Sequence, residues 1–306
     1  MDGYKNIIRS RSLRLRILKW LSIIPDSLML RIQYFIKFKR FLDLKNPRRF
    51  TEKLQLYKIR YKNPVLKKCI DKYLVREYIE SKGLSGSLNE LYGIYYKVDE
   101  IDFNNLPDKF VIKTTNGGGG INIILCKNKN EFDFENIKLQ LKSWLKRKKS
   151  SGGREWAYTD QEPKVIIEKY LENEKNPEAG ITDYKFFCFN GKAEYVVVDI
   201  DRYTDHRRNF YDMNWNYIDI SSDCTNFGDT YEKPAGFEEM KSVAAKLSED
   251  FPFVRVDLYY LENLVIFGEL TFYPWSGYVQ FKPDSFDFEL GSKLKISDLK
   301  YKNEAK

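Results

Sequence analysis

Apolar residues recur along this 306-residue chain with two different spacings, and the change falls near residue 90. Before it the spacing is helical. Leu54, Tyr57 and Ile59 form an apolar face between breaks at Asn46-Pro47 and Asn63-Pro64, and Thr51 with Glu52 and Gln55 predicts the helix start. Asp71 predicts a cap for a second helix whose face carries Leu74, Val75, Tyr78 and Ile79, with Gly83 as its stop. Beyond residue 90 the pattern becomes that of strands. Residues 109–115 and 121–126 flank four consecutive glycines as a hairpin, and residues 164–171 read as a buried strand with a polar exit. Residues 183–200 predict a second hairpin with Asn190-Gly191 at its turn, and residues 254–274 a third that turns near Glu262 and Asn263. Helices are predicted over 134–149, ending in a basic run at 146–149 before a loop at 150–153, and over 237–250. The fold class is therefore α+β, with antiparallel hairpins dominating the last two thirds.

With 42 % hydrophobic and 31 % charged residues the chain is globular, and at this length it can bury enough surface to fold without disulfides or metal. Four widely spaced cysteines (Cys69, Cys126, Cys188, Cys224) form no CxxC, which argues for a reducing compartment such as the cytoplasm. A single histidine, His206, all but excludes His-ligated zinc and histidine relays.

The net charge of +8 is unevenly placed. Residues 1–50 hold 13 Lys/Arg against 3 Asp/Glu, and the remainder is slightly acidic. A basic head on an acidic body points to a local contact and not to nucleic acid. Arg14, Arg16 and Lys19 break up any signal-peptide core, and Pro25, Asp26 and Arg31 interrupt the apolar run well short of the ~20 residues of a membrane span. Arg9, Arg16, Arg31 and Lys39 mixed with Leu13, Ile17, Trp20, Leu21 and Ile24 fit a basic amphipathic helix pair. Residues 1–40 then either attach to an anionic membrane face or cap the body with their charges solvated.

The third hairpin carries the most chemistry. If its loop holds three residues, Asp257 lies opposite Glu269, and Arg255 and Thr271 join them on one face. Two close carboxylates need a shared proton or a cation. A hard cation such as Mg²⁺ fits, and a surface ladder of charged pairs is the alternative. In Lys113-Thr-Thr-Asn-Gly117-Gly118-Gly119-Gly120 the backbone amides can approach phosphates, although the stretch is neither a Walker A motif nor a dinucleotide fingerprint. The strand through Val165 to Glu168, followed by Lys169, Leu171 and Glu172, offers an apolar wall and exposed backbone for an adenine ring.

In this order the elements resemble the ATP-grasp superfamily and, more closely, the TupA-like ATP-grasp family associated with bacterial surface-polysaccharide synthesis. The matching stretches include DKYLVREYI, LPDKFVIKTTNGGGG, VIIEKYLE, DYKFFCFNGK, HRRNFYDMNW and FPFVRVDLYYLENLVIFGELTFYPWSG, within residues 46–290. The resemblance implies two α+β subdomains clamping ATP, at 89–170 and 171–306, behind a basic helical segment at 1–88. Lys72 and Lys113 would contact ATP, and Gly117 to Gly120 would cover the phosphates. Glu168, Lys169 and Leu171 would line the adenine, Asp183 or Glu172 would take the ribose, and Lys185 would reach phosphate. Asp257 and Glu269 would hold Mg²⁺, with Thr271 where many relatives place an Asn ligand, and Arg255 would stabilise developing charge. The implied reaction joins an amine, such as an amino acid, to a sugar-acid carboxylate on a glycan, free or lipid-linked, through an acyl phosphate. Arg202, Arg207, Arg208 and Lys282 are candidates for the anionic acceptor.

Two rivals remain. Asp199-x-Asp201 after an apolar strand has the look of a metal-dependent glycosyltransferase site, though the expected βαβ opening is missing. The basic head alone would suit a non-catalytic membrane-associated assembly factor.

Overall fold

The computed structural model describes residues 23–117, 120, 122–146, 153–173, 176–228 and 231–299. Gly118, Gly119, the first 22 residues and most of the 147–153 stretch lie outside them. The first described helix, α1 (Asp26–Phe38), buries Met29, Leu30, Tyr34 and Phe38. Next, α2 (Phe50–Arg60) is buried on every side from residue 50 to 58, not only along the expected apolar face. Its long polar side chains are buried because each finds backbone acceptors. The Lys53 ammonium donates to the carbonyls of Gly291 and Leu294 at 2.6 Å, the Gln55 amide to Gly277 at 3.0 Å and Lys58 to Ser276 at 2.8 Å.

The α2 N-terminus is held from two directions. Glu52 accepts from the N–H groups of Arg48 and Arg49 at 2.9 and 3.0 Å. Asp287, from α7 (Ser285–Lys293), accepts from the Thr51 N–H at 2.9 Å and its hydroxyl at 2.7 Å. After the short α3 (Val65–Cys69), Asp71 accepts from the N–H groups of Tyr73 and Leu74, both at 2.9 Å, and leads into α4 (Val75–Ser81) as its sequence position predicts.

Two antiparallel sheets follow. The smaller has the order β1-β4-β2-β3, from β1 (Leu91–Tyr95), β2 (Phe110–Thr114), β3 (Ile123–Cys126) and β4 (Val165–Lys169). Phe110, Ile112, Val165 and Ile167 share its core with Ile137, Leu141 and Trp144 of α5 (Phe134–Leu145); the predicted end of this helix at 147–149 lies outside the described residues. The larger sheet has the order β10-β9-β5-β6-β7-β8. Its strands are β5 (Asp183–Phe189), β6 (Lys192–Ile200), β7 (Arg207–Asp212), β8 (Tyr217–Ile218), β9 (Val254–Leu261) and β10 (Leu264–Thr271). A second, larger core joins this sheet to α6 (Phe237–Ser248) and to Leu30, Tyr34, Phe50, Leu54, Tyr57 and Ile79 of the N-terminal helices. Among the described residues no helix is long and apolar enough to cross a membrane.

The β9–β10 hairpin departs from its predicted geometry in an informative way. Its loop has two residues, Glu262 and Asn263, both left-handed at φ 52° and 62°. Pairing begins at Leu264↔Leu261 and runs to Phe267↔Leu258, after which a bulge at Gly268 shifts the register by one. Glu269 then pairs with Asp257 and Thr271 with Arg255. The expected alignment is reached, but the extra residue sits in the bulge and not in the loop.

Burial pushes the Asp287 carboxyl up to about 6, against the Thr51 hydroxyl and N–H that favour its ionised form. A carboxyl that keeps its proton longer in the folded state stabilises the fold below its unfolded value of about 3.9 and loses that increment as pH rises through the folded value. The stability of the wild type relative to Asp287→Asn should therefore fall between about pH 4 and 6. Chemical denaturation of both proteins across that window checks it, and a flat difference would refute the assignment.

Candidate active site

Two connected chambers open between the sheets. The first, of about 270 Å³, lies between the small sheet and β9–β10. Val111 and Lys113 of β2, Ile123 and Leu125 of β3, and Lys169 and Leu171 at the exit of β4 line one wall, and Asp183, Tyr259, Gly268 and Glu269 the other. The second, of about 450 Å³, extends over the large sheet and is lined by Lys185, Asp199, Arg208, Arg255, Thr271 and Trp275 among others. Lys72, Gly117, Asp183, Arg202, Asp257, Gly268 and Glu269 border both.

At the junction the Arg255 guanidinium donates to both oxygens of Asp257, at 2.7 and 2.6 Å. It also reaches Glu269 at 3.4 Å and the Thr271 hydroxyl at 3.2 Å, and that hydroxyl donates to Glu269 at 3.1 Å. Arg, Asp, Glu and Thr thus share one face, as the pairing predicts. Burial holds the Asp257 carboxyl above the usual carboxylate range, to about 7, against the pull of Arg255 and Lys185, and Asp183 and Glu269 add to the upward push. Glu269 is held below its ordinary value. Burial opposes this, but Lys72, Arg255 and Lys185 outweigh it.

Lys72 is carried just ahead of α4. Its N–H donates to the Thr115 carbonyl at 3.0 Å and its ammonium to the carbonyl of Gly117. Burial lowers its pKa, as does Lys113, while Glu269 pulls the other way. Lys113 is paired with the buried Glu168 at 2.8 Å, and Arg76 reaches the second oxygen of Glu168 at 3.6 Å. Glu168 therefore orients two cations and does not line the first chamber. Glu172 pairs with Lys109 and does not line the first chamber, so of the two ribose candidates only Asp183 stands at its wall.

Behind the junction lies a buried charge network. The Lys185 ammonium sits among Asp183, Asp199 at 3.3 Å and Asp257 at 3.9 Å. Arg208 grips Asp199 through two nitrogens at 2.5 and 3.0 Å and also binds Asp223. His206 reaches Asp199 at 3.4 Å. Asp199 is held far below the carboxylate range: burial opposes this, and His206, Lys185 and Arg208 overcome it. Asp201 sits beyond the end of β6 on left-handed backbone (φ 52°) and lines neither chamber. The Asp199/Asp201 metal pair of the glycosyltransferase reading is therefore not assembled.

Of the four expected acceptor residues, Arg202 and Arg208 line the second chamber. Arg207 pairs with Asp205 at 2.6 Å, and Lys282 is exposed with its backbone bridged to Ser221, so neither joins them. Sequence reasoning passed over Tyr259, which shares a face with Asp257 two residues earlier. It also passed over Trp275 and Ser276, whose left-handed turn (φ 49° and 56°) is pinned by the buried Lys58. Burial brings Lys58 down to about 8.

A family model, TupA-like ATPgrasp, matches residues 52–295. Fold and cleft are accordingly those of an ATP-grasp protein. Within that class the chain belongs to the TupA-like family. A curated D-alanine–D-alanine ligase from Helicobacter pylori (strain ATCC 700392 / 26695) is 22 % identical over 233 residues, which cover 73 % of this chain and 57 % of that relative. Among solved structures, a D-alanine–D-alanine ligase from Bacillus anthracis complexed with ATP aligns over 76 % of this chain and 66 % of its own, at 14 % identity and a TM-score of 0.44. The ATP-grasp ligase PsnB with minimal precursor, Mg and ADP aligns over 77 % and 62 %, at 12 % identity and a TM-score of 0.40.

Removing one member of a buried ion pair strands its partner. Arg208→Met leaves Asp199 with only Lys185 and His206, and should cost about 3 kcal/mol in urea denaturation. A loss below about 1 kcal/mol would place Asp199 in a wetter setting than its burial implies.

Proposed function

We propose that this chain is an ATP- and Mg²⁺-dependent ligase that activates a carboxylate as an acyl phosphate and joins it to an amine. The observation that carries the reading is the meeting of two chambers at Lys72, Asp257 and Glu269. A phosphoryl donor on one side and an acceptor on the other would meet there, and transfer of this kind needs positioning and charge neutralisation more than a protein nucleophile. The first chamber suits ATP. Val111, Ile123, Leu125 and Leu171 give an apolar bed for adenine, Asp183 faces the ribose, and Lys72, Lys113, Gly117 and Gly120 serve the phosphates.

The donor set at the junction fits Mg²⁺. It is all oxygen, and Asp183 Oδ1 is buried without a hydrogen-bond partner. Among the described residues no cluster of three His, Cys, Asp or Glu is poised around a metal position. Mg²⁺ commonly takes one or two carboxylates and completes its shell with substrate phosphate and water, so Asp257 and Glu269 suffice. When bound it would neutralise phosphate charge. Thr271 is better cast as a positioning residue, because its hydroxyl is engaged by Arg255 and Glu269. Arg255 presents a guanidinium to negative charge developing on the oxygens of the transferred phosphoryl group or of the tetrahedral intermediate, and Lys185 keeps the aspartates from repelling one another.

The second chamber would hold the acid and the amine, with Arg202 and Arg208 toward an anionic group. An acidic glycan, free or lipid-linked, supplies such a carboxylate, and the surface-polysaccharide setting rests on the family resemblance.

The test is incubation with ATP, Mg²⁺, uronic-acid glycans and amino acids, read by mass spectrometry. ADP, phosphate and an amidated acid are expected, with Asp257→Asn and Glu269→Gln lowering turnover at least a hundredfold and Lys113→Ala weakening ATP binding in calorimetry. A stable phosphorylated sugar as product, or near-normal rates in either carboxylate variant, would overturn the reading.

A further inference from the structure

We propose that the outer face of α1, continued by Phe41, docks on an anionic membrane surface. Helix α1 is apolar on two sides. Its inner side enters the large core, and along the outer side Leu28, Ile32, Phe35 and Ile36 are 49, 41, 42 and 60 % exposed. Their spacing makes one helical stripe. Phe41, 85 % exposed, stacks on Phe35 with ring centroids 5.2 Å apart and prolongs the stripe past the helix end. Of the eleven large apolar side chains exposed among the described residues, six fall between residues 23 and 41, so this is a patch and not scatter.

Charge selects the occupant. Residues 23–50 carry seven Lys/Arg and two Asp/Glu, and Arg31, Lys37 and Lys39 are exposed around the stripe. The 22 residues that precede them carry six Lys/Arg and one Asp. Folding that segment over the stripe would bring positive onto positive, and so would apposing two copies of the chain. An anionic lipid surface relieves both repulsions while apolar side chains enter the interface.

The full-length protein is assayed by co-sedimentation with phosphatidylglycerol-containing vesicles and with pure phosphatidylcholine vesicles. Binding to the first, weakened by salt and absent from the second, is expected. Ile36→Ser with Phe41→Ser, and separately Lys37→Gln with Lys39→Asn, should each weaken it about tenfold or more. Both pairs lie on the exposed side, so melting should be unchanged; Asn suits the left-handed backbone at Lys39 (φ 56°). No binding by the wild type overturns the proposal. Binding unchanged in both double variants also overturns it, by moving the contact to the first 22 residues. A dimer that Ile36→Ser with Phe41→Ser dissociates, with no vesicle binding, assigns the face to a second copy instead.

Discussion

The register of one hairpin decides whether this protein has a site at all. A one-residue slip in strand pairing sends every side chain to the opposite face. The two-residue turn at Glu262 and Asn263, if followed without interruption, would pair Glu269 with Val256 and Leu270 with Arg255. A carboxylate would then enter the core and a leucine the cleft. The bulge at Gly268 restores the alternation, so that Glu269 faces Asp257 and Thr271 faces Arg255. Gly268 also has little room for a side chain: a Cβ there would lie 3.0 Å from the Asp257 carbonyl and 3.2 Å from the Tyr259 ring.

Once the register is set, the buried charges constrain one another. Arg255 neutralises Asp257 through two hydrogen bonds, Lys185 sits among three aspartates, and Arg208 closes the network on Asp199. Isolated, any of these ions would be too costly to bury; together they form a preorganised polar lining. The same economy supports the far wall. There the left-handed Trp275–Ser276 turn is held by Lys58, whose buried ammonium finds two of its acceptors in that turn and a third in Gln55.

Much of this was legible in the sequence, for identifiable reasons. Period-two alternation put Arg255 and Asp257 on one face, and Asp71 and Asn190-Gly191 are local signals that need no tertiary context. What was not legible depends on long-range partners. A loop of three residues and a loop of two plus a bulge give the same final pairing, and only the backbone separates them. Nothing local distinguishes Arg208, which turns inward to Asp199, from Arg207, which pairs outward with Asp205, beyond their opposite faces on β7. The burial of Lys53, Gln55 and Lys58 on α2 has no local signal, because the carbonyls of Gly291, Gly277 and Ser276 that accept from them lie more than 200 residues away.

The helical N-terminal region is therefore part of the site's machinery, through one short element. Lys72 borders both chambers, yet it is fixed to the small sheet by its N–H on Thr115 and its ammonium on Gly117. One turn later Arg76 reaches Glu168 on β4 and donates to the Asn89 carbonyl at 3.0 Å. On the other side, Val75 and Ile79 are anchored in the large core. A displacement of the β2–β3 hairpin relative to the large sheet would load the 71–79 stretch, which is tied to both. Such a displacement would move Lys72 against Glu269, the carboxylate whose ionised form it most supports. Phosphate charge placed between the two would compete with Glu269 for that ammonium, so the lysine is positioned to couple the small sheet's location to what the cleft contains.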